Sequence, residues 1–268
     1  MRSLERPFLL VTDGSTTGAP PAPPRADGDE AQQAVLTQLE LARRCAEDAD
    51  TVVVDVGAFL GDFGLAAAAA GCRVYIFEVQ PRQAALIQAS INVNGFGERV
   101  TLVNKAVTNA SNARLTFSAA GGQTAKAGGG GGTITVDSVA LDDLFPAPAR
   151  IFFLKIDTEG FELDVFAGAA RLFQQRRVDN VVFEYTAFWT DRADQQALLP
   201  FVEAFQPRAL YALDRTGPTV YGPLGPQDVR GFWKAHNDRH LQTDVYATFS
   251  DADSRKVRAT PYTQSVNA

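Results

Sequence analysis

The sequence predicts an α/β fold built on a doubly wound, Rossmann-like sheet. Three apolar runs, at 52–56, 73–78 and 151–157, have the composition of parallel strands that are buried on both faces. Each run is followed by a segment with helical spacing, which is the order of β-α-β units. In sheets of this kind, ligands bind outside the carboxyl ends of the strands.

The chain before the first strand divides into two parts. Residues 1–29 are predicted to be a flexible lead, because 13–29 are rich in proline, glycine and small polar residues. Residues 30–48 have the periodicity of an amphipathic helix that packs on the sheet. We expect 30–268 to form a single domain.

The remaining elements follow in alternation. The second strand lies between predicted helices at 62–70 and 81–93, and the third strand is predicted at 100–107. Segments 114–117 and 133–139 are expected to be the arms of an inserted β-hairpin. Its glycine-rich loop, 121–132, could be either a lid or a simple connection. Further elements are expected at 141–145 (a helical turn), 161–175 and 195–205 (helices), and 180–185, 208–214 and 244–250 (strands).

Composition limits the class of partner. The 268 residues carry a net charge of −6 and contain no dense run of Lys or Arg, so we expect no nucleic acid partner. No apolar run is long enough to span a membrane, and we expect no membrane partner. The two cysteines, Cys45 and Cys72, are isolated, which predicts reduced thiols and a cytoplasmic protein. The oligomeric state is not readable from the sequence.

The segment VVVDVGAFLGDFG, residues 52–64, indicates the class of cofactor. Its glycines are spaced G-x-x-x-G-x-x-G rather than G-x-G-x-x-G, and no P-loop follows, so no cradle for a pyrophosphate is expected. Asp55 would repel a phosphate at the end of the first strand, whereas Glu78 can accept hydrogen bonds from ribose hydroxyls. A nucleoside that carries an amino group and a positive sulfur fits both acids, which favours S-adenosylmethionine.

The segment LKIDTEGFELDVFAGA, residues 154–169, is the second informative motif. With VDVGAFLG (54–61), NKAV (104–107), VALDDLF (139–145) and VVFEY (181–185), it makes the chain resemble the FkbM family of S-adenosylmethionine-dependent methyltransferases over about 50–186. The resemblance implies a seven-stranded methyltransferase sheet whose last strand, at 244–250, is antiparallel. It also implies methyl transfer to a hydroxyl oxygen of a small metabolite or a sugar. The chain departs from the family at Phe59, where Asn is usual.

With this resemblance, site residues can be assigned. Asp55 and the turn from Gly57 to Gly61 are expected to hold the amino-acid end of the cofactor, Glu78 its ribose, and 104–106 its adenine. Phe63 either covers the cofactor or belongs to the core. The cofactor-binding set is Asp55, Gly57, Ala58, Phe59, Gly61, Phe63, Glu78, Val79, Asn104, Lys105, Ala106 and Asp157. We expect the acceptor pocket to come from segments after about residue 186, with aromatic surface from Phe188, Trp189, Tyr221 and Trp233.

Four residues are candidates for catalysis. Asp157, Glu159 and Glu184 follow or end strands, and His240 could act as a base; with His236 it would share a helix face at i, i+4 spacing. Asp157 and Glu184 could also hold Mg²⁺ with waters, although an ion-pair or solvated role is favoured. Two alternatives to the methyltransferase remain: a nicotinamide-dependent oxidoreductase, which Glu78 suits equally well, and a non-catalytic binding module with the same fold.

Overall fold

The computed structural model describes residues 8–12, 29–120, 123–126 and 133–263. Its helices are α1 (Asp29–Gln38), α2 (Leu41–Glu47), α3 (Asp62–Ala70), α4 (Pro81–Asn94), α5 (Leu141–Leu144), α6 (Glu162–Ala167), α7 (Ala170–Gln174), α8 (Gln195–Ala204), α9 (Pro226–Arg239) and α10 (Asp251–Ser254). Its strands are β1 (Val52–Val56), β2 (Arg73–Phe77), β3 (Val100–Val103), β4 (Ala106–Val107), β5 (Arg114–Ala120), β6 (Gln123–Lys126), β7 (Thr133–Val139), β8 (Ile151–Ile156), β9 (Val178–Thr186), β10 (Ala209–Leu213), β11 (Val220–Tyr221) and β12 (Gln242–Thr248).

The main sheet has the order β11-β10-β12-β9-β8-β1-β2-β3. Strands β3, β2, β1, β8 and β9 are parallel neighbours, and β12 runs antiparallel to both β9 and β10. The predicted doubly wound sheet and the antiparallel strand at 244–250 are therefore confirmed. The main sheet has eight strands rather than the seven expected, because the short β11 pairs antiparallel with β10.

Two apolar cores cover the two faces of this sheet. Alternate residues of β1 point to opposite sides, so Val54 and Val56 pack with α6–α9 while Val53 packs with α1–α4. Asp55 therefore faces the same side as α3, at full burial. The two layers bring the carboxyl ends of β2, β1 and β8 side by side at one edge.

A second, smaller sheet has the order β4-β7-β5-β6. β5 and β7 are the antiparallel arms of the predicted hairpin, which is confirmed. β6, at 123–126, lies in the segment predicted to be an unpaired loop and pairs with β5; 121–122 and 127–132 lie outside the described residues.

Three predicted elements are divided in the structure. The third strand, predicted at 100–107, becomes β3 in the main sheet and β4 in the small sheet. The helix predicted at 30–48 is interrupted at Glu40, which has a left-handed φ of 57°. The helix predicted at 161–175 divides into α6 and α7 around Gly168, where the chain passes so close to the Thr108 carbonyl oxygen that a Cβ would lie 1.9 Å from it.

Part of the predicted flexible lead is described and contacts α4. The N–H of Leu9 donates to Asn94 Oδ1, and the N–H of Val11 donates to Ser90 Oγ, each at 2.9 Å. Residues 1–7 and 13–28 lie outside the described part of the chain.

The expectation of two reduced cysteines is wrong. Cys45 on α2 and Cys72 before β2 form a disulfide, with their Cα atoms 4.7 Å apart. Both are buried in the core between the sheet and α1–α4. Spacing along the chain did not reveal the pair, because 27 residues separate the two cysteines. The bond removes the cysteine-based argument for a cytoplasmic location.

Among the helices of the described residues, none has both the length and the apolar content that crossing a bilayer requires.

Candidate functional site

A cavity of about 690 Å³ lies at the carboxyl edge of β1, β2 and β8. The small sheet closes its opposite side, through β4 and β5. Its lining residues are Val56, Gly57, Phe59, Phe77, Glu78, Val79, Gln80, Lys105, Ala106, Val107, Thr108, Asn109, Ala110, Ala113, Leu115, Thr116, Phe117, Asp157, Thr158, Glu159, Phe161 and Asp164. This size is typical of pockets for small ligands.

The turn after β1 forms the floor of the cavity, and Gly57 makes it possible. The N–H groups of Gly57 and Ala58 both donate to the carbonyl oxygen of Phe77 on β2. On the other side, a Cβ at Gly57 would lie 1.8 Å from the carbonyl oxygen of Asp157, and the φ of Gly57 is +78°. Only glycine permits this approach, which holds the ends of β2 and β8 on either side of the turn.

Glu78 lies where β2 ends, and backbone groups orient its carboxylate. Oε2 accepts a hydrogen bond from the N–H of Phe59, and Oε1 accepts one from the N–H of Gln80, both at 2.7 Å. Burial raises the pKa of Glu78, and these two hydrogen bonds oppose the rise. Each oxygen keeps a lone pair, so the carboxylate can still accept hydrogen bonds from a ligand in the cavity.

Asp55 is near the cavity but does not line it. Its Oδ2 accepts from the N–H of Gly64 at 3.0 Å, at the start of α3. Its Oδ1 is buried and has no hydrogen-bond partner among the described residues. Burial raises the pKa of Asp55 to about 7, against the attraction of Lys155.

Other members of the predicted glycine turn have mainly structural surroundings. Gly61 has a left-handed φ of 75° at the start of α3, and its Cβ position lies against Ile87. Ala58 is buried. Phe63 packs on Phe153, with ring centroids 5.8 Å apart. Of the two roles considered for Phe63, this contact fits a core residue rather than a cover over the cofactor.

Phe59 is the exposed side chain of this turn. It lines the cavity, is 39% exposed and has a left-handed φ of 50°. This backbone conformation is unfavourable for an aromatic residue and suits Asn. The structure therefore gives a backbone reason why Asn is usual at this position.

The crossing from β3 to β4 borders the cavity beside Glu78. Asn104 Nδ2 donates to the carbonyl oxygens of Glu78 and Val79, at 2.6 and 3.1 Å. Lys105 and Ala106 line the cavity, together with Val79. Asn104 thus braces the turn, and its two neighbours face the ligand space.

The turn after β8 carries two acids into the cavity. Asp157 Oδ2 lies 2.8 Å from Lys155 Nζ, which is mostly buried. Burial lowers the pKa of Lys155, but the nearby carboxylates of Asp157 and Asp55 raise it above the ordinary value overall. Lys155 therefore stays charged and keeps Asp157 oriented, a role that no pattern in the sequence indicated.

Glu159 has a left-handed φ of 57° and lies beside Arg192. The guanidinium Nη1 donates to the carbonyl oxygen of Glu159 and lies 3.6 Å from its carboxylate. Burial and the charge of Asp157 raise the pKa of Glu159, and Arg192 opposes them. The guanidinium also stacks on Trp189, 3.9 Å from the ring centroid.

Glu184 and the two histidines are not among the lining residues. Glu184 is buried on β9, where burial and the charges of Asp157 and Glu162 raise its pKa well above the ordinary value. His236 is 1% exposed, with Nδ1 2.9 Å from the carbonyl oxygen of Phe232. His240 follows the end of α9 with a left-handed φ of 51° and packs on Phe188. The structure does not bring His236 and His240 together on one face at the cavity.

The small sheet supplies one wall of the cavity, which was not among the expected site segments. The expected acceptor surface from Phe188, Trp189, Tyr221 and Trp233 is absent from the lining, and on this side of the cavity the lining comes instead from 106–110, 113 and 115–117. A signal existed in the alternation of Ala113, Leu115 and Phe117 with exposed neighbours, but only the folded chain shows which cavity this face meets.

Charge in the cavity is predominantly negative. Among the described residues that line it, Glu78, Asp157, Glu159 and Asp164 are acidic, and Lys105 is basic. Within the described ranges, no group of three His, Cys, Asp or Glu side chains is arranged to hold a metal ion, so Mg²⁺ at Asp157 and Glu184 is not supported. The carboxylates of the lining suit a ligand that carries positive charge and hydroxyl groups.

One family model matches more than half of the chain. Residues 55–213 match the model of the methyltransferase FkbM domain. No curated protein sequence is detectably similar to the chain.

Several solved structures are similar at low identity. The human METTL16 catalytic domain in complex with the MAT2A 3′UTR hairpin 1 is 10% identical, with TM-score 0.42 over 86% of this chain and 74% of that one. An rRNA methylase from Streptococcus thermophilus is 14% identical, with TM-score 0.43 over 80% and 93%. Cofactor-bound Rv0187 from MTB is 16% identical, with TM-score 0.44 over 85% and 83%.

These comparisons correct one expectation. Net charge and the lack of a basic run led us to exclude nucleic acid partners, yet the similar structures include one in complex with an RNA hairpin. The prediction that nucleic acid partners are excluded is therefore wrong. What METTL16 binds is a property of that protein.

Proposed function

Since the chain belongs to the FkbM methyltransferase family, we propose that it transfers a methyl group from S-adenosylmethionine to a hydroxyl oxygen of a small-molecule acceptor. The observation that carries the proposal is the Glu78 carboxylate, which two backbone N–H groups aim at a cavity edged by acids. A carboxylate at the end of the second strand accepts hydrogen bonds from ribose hydroxyls.

The residues present fit this cofactor. The lining has four acids and one Lys, which disfavours a pyrophosphate and favours an ammonium and a sulfonium. Glu78 would hold the ribose, and Val79, Lys105 and Ala106 would border the adenine. The turn at Gly57, with the buried oxygen of Asp55 behind it, would hold the amino-acid end. The bound cofactor would supply an electrophilic methyl group on a positively charged sulfur.

The protein would position the two reactants and supply a base. Methyl transfer to oxygen is an in-line displacement, and good orientation of the reactants can supply on the order of 7–11 kcal/mol. Glu159 would take the proton of the acceptor hydroxyl, because its raised pKa makes it a better base than an ordinary carboxylate. Asp157, paired with Lys155, would orient the reacting groups and adds to the basicity of Glu159.

Calorimetry with S-adenosylhomocysteine and with NAD⁺ tests the cofactor. We expect the first to bind and Glu78→Gln to weaken it about tenfold or more, because the amide would turn a donor toward the N–H of Phe59 or Gln80. Glu98→Gln, an exposed acid outside the cavity, is the matched control. Binding of NAD⁺ alone would replace the proposal with the oxidoreductase alternative.

Turnover assays test the acceptor. The panel contains phenols, sugars and RNA, each with S-adenosylmethionine as the methyl donor. We expect an O-methyl product, and we expect Glu159→Gln to lower kcat about 10²-fold or more with little change in cofactor affinity. A methylated base in RNA, or transfer that does not depend on Glu159, would reject the proposed chemistry.

A further inference from the structure

The cavity has two walls of different chemistry. The rim formed by β2 and β8 carries Glu78, Asp157 and Glu159, whereas β5 contributes the uncharged, mainly apolar set Leu115, Thr116 and Phe117. Along β5, Leu115 and Phe117 are half-buried and line the cavity, whereas Thr116 between them also borders the cavity but is exposed, as is Arg114 before them. This alternation is that of a strand with one face turned toward a ligand space.

The apolar wall meets the catalytic turn at a pair of aromatic rings. Phe117 on β5 and Phe161, two residues after Glu159, are edge-to-face with ring centroids 6.2 Å apart. Both rings line the cavity. The apolar surface therefore lies next to the acid that we assign as the base.

This surface is distant from the end of the cavity assigned to the cofactor's ribose and adenine. Glu78 ends β2, and the catalytic turn follows β8, with β1 between them in the sheet. At the usual spacing between strands, the two ends are separated by roughly 10 Å. Bound adenine at Val79, Lys105 and Ala106 would leave Leu115, Phe117 and Phe161 for a second ligand.

We propose that the acceptor carries its hydroxyl on an apolar or aromatic framework that packs against Leu115, Phe117 and Phe161; this rests on the methyl transfer proposed above. An aromatic ring on this wall buries apolar surface on both sides and forms favourable edge-to-face contacts. A polyol in the same place would leave hydroxyl groups without hydrogen-bond partners, which is costly.

Competition between 2-naphthol and methyl α-glucoside as methyl acceptors tests this assignment. We expect kcat/KM to be at least about tenfold higher for 2-naphthol. Phe117→Ala should lower kcat/KM for 2-naphthol roughly tenfold, mainly by raising KM, while the Kd of S-adenosylhomocysteine stays unchanged. Leu144→Ala, a partly exposed apolar residue on α5 outside the lining, is the matched control and should change neither quantity.

A second variant protects the test against misfolding of the first. Leu115→Ser keeps the strand but makes the wall polar, and it should lower kcat/KM for 2-naphthol in the same direction. Two results would overturn the apolar acceptor: turnover of methyl α-glucoside or RNA that equals or exceeds that of 2-naphthol, or a KM for 2-naphthol that is unchanged in both variants. In either case the proposals of cofactor binding and methyl transfer would stand. Failure of the wild-type protein to bind S-adenosylhomocysteine would instead remove the proposed function, and this assignment with it.

Discussion

Glu162 Oε1 accepts hydrogen bonds from both the N–H and the hydroxyl of Thr158, at 2.8 and 2.9 Å. A third bond, from the N–H of Gly160 at 3.1 Å, ends on the same oxygen. Glu162 is fully buried, and burial raises its pKa to about 7. One side chain on α6 thus holds the turn that presents Asp157 and Glu159, in which Glu159 and Gly160 both have left-handed φ.

Glu162→Ala should destabilise the protein, because it leaves these three donors without an acceptor. An unsatisfied buried group costs about 1–3 kcal/mol, which applies to the N–H of Gly160, whereas the two partly buried donors of Thr158 cost less, so the free energy of unfolding should fall by about 2–4 kcal/mol in total. Glu162→Gln keeps an acceptor oxygen and should stay within about 1 kcal/mol of the wild type. Guanidinium unfolding measures both; equal losses in the two variants would contradict the role of Oε1.

The stability of the protein should fall as pH rises through the window set by Asp55. Its pKa is about 7 in the folded chain and near 3.8 in the unfolded one. The native state therefore binds more protons between these values, and the free energy of unfolding decreases with rising pH across that range.

Asp55→Asn isolates this effect, because the amide is neutral at every pH and keeps an acceptor for Gly64. Relative to the wild type, the variant should gain up to about 4 kcal/mol between pH 4 and pH 8. Parallel pH dependences in denaturant unfolding of the two proteins would show that Asp55 is not the titrating group.

Reduction of the disulfide between Cys45 and Cys72 should destabilise the fold. The bond closes a loop of 27 residues along the chain, for which loop entropy predicts about 3–4 kcal/mol. Thermal unfolding with and without a thiol reductant measures the difference. The double variant Cys45→Ala with Cys72→Ala is the control, since its midpoint should not respond to the reductant.

Phe59→Asn should stabilise the protein by about 0.5–1 kcal/mol. Asn tolerates the left-handed φ of 50° better than Phe does, and the N–H bond to Glu78 does not depend on the side chain. Phe59→Ala keeps the Cβ that causes the strain and should bring no such gain. Denaturant unfolding of the wild type and the two variants measures these differences. A lower stability of Phe59→Asn would mean that the phenyl ring contributes more to stability than its 39% exposure indicates.

Local patterns in the sequence were enough to predict the main sheet and the acids at its carboxyl edge. An apolar run that ends in an acid places that acid at the carboxyl edge wherever the strand goes, so Glu78 and Asp157 could be assigned before folding. The glycine at 57 was also readable, because its turn is local. The family motifs, which lie between 54 and 185, carried the methyltransferase assignment, and the family model matches 55–213.

Only the tertiary structure decided which acids face the cavity and what closes it. Asp55 and Glu184 also lie near strand ends, but side-chain alternation and the packing of α3 and the neighbouring helices bury them away from the lining. The wall of β5 and the bond between Cys45 and Cys72 join segments that are distant in sequence. Such contacts depend on how helices and sheets pack, and no short stretch of chain contains that information.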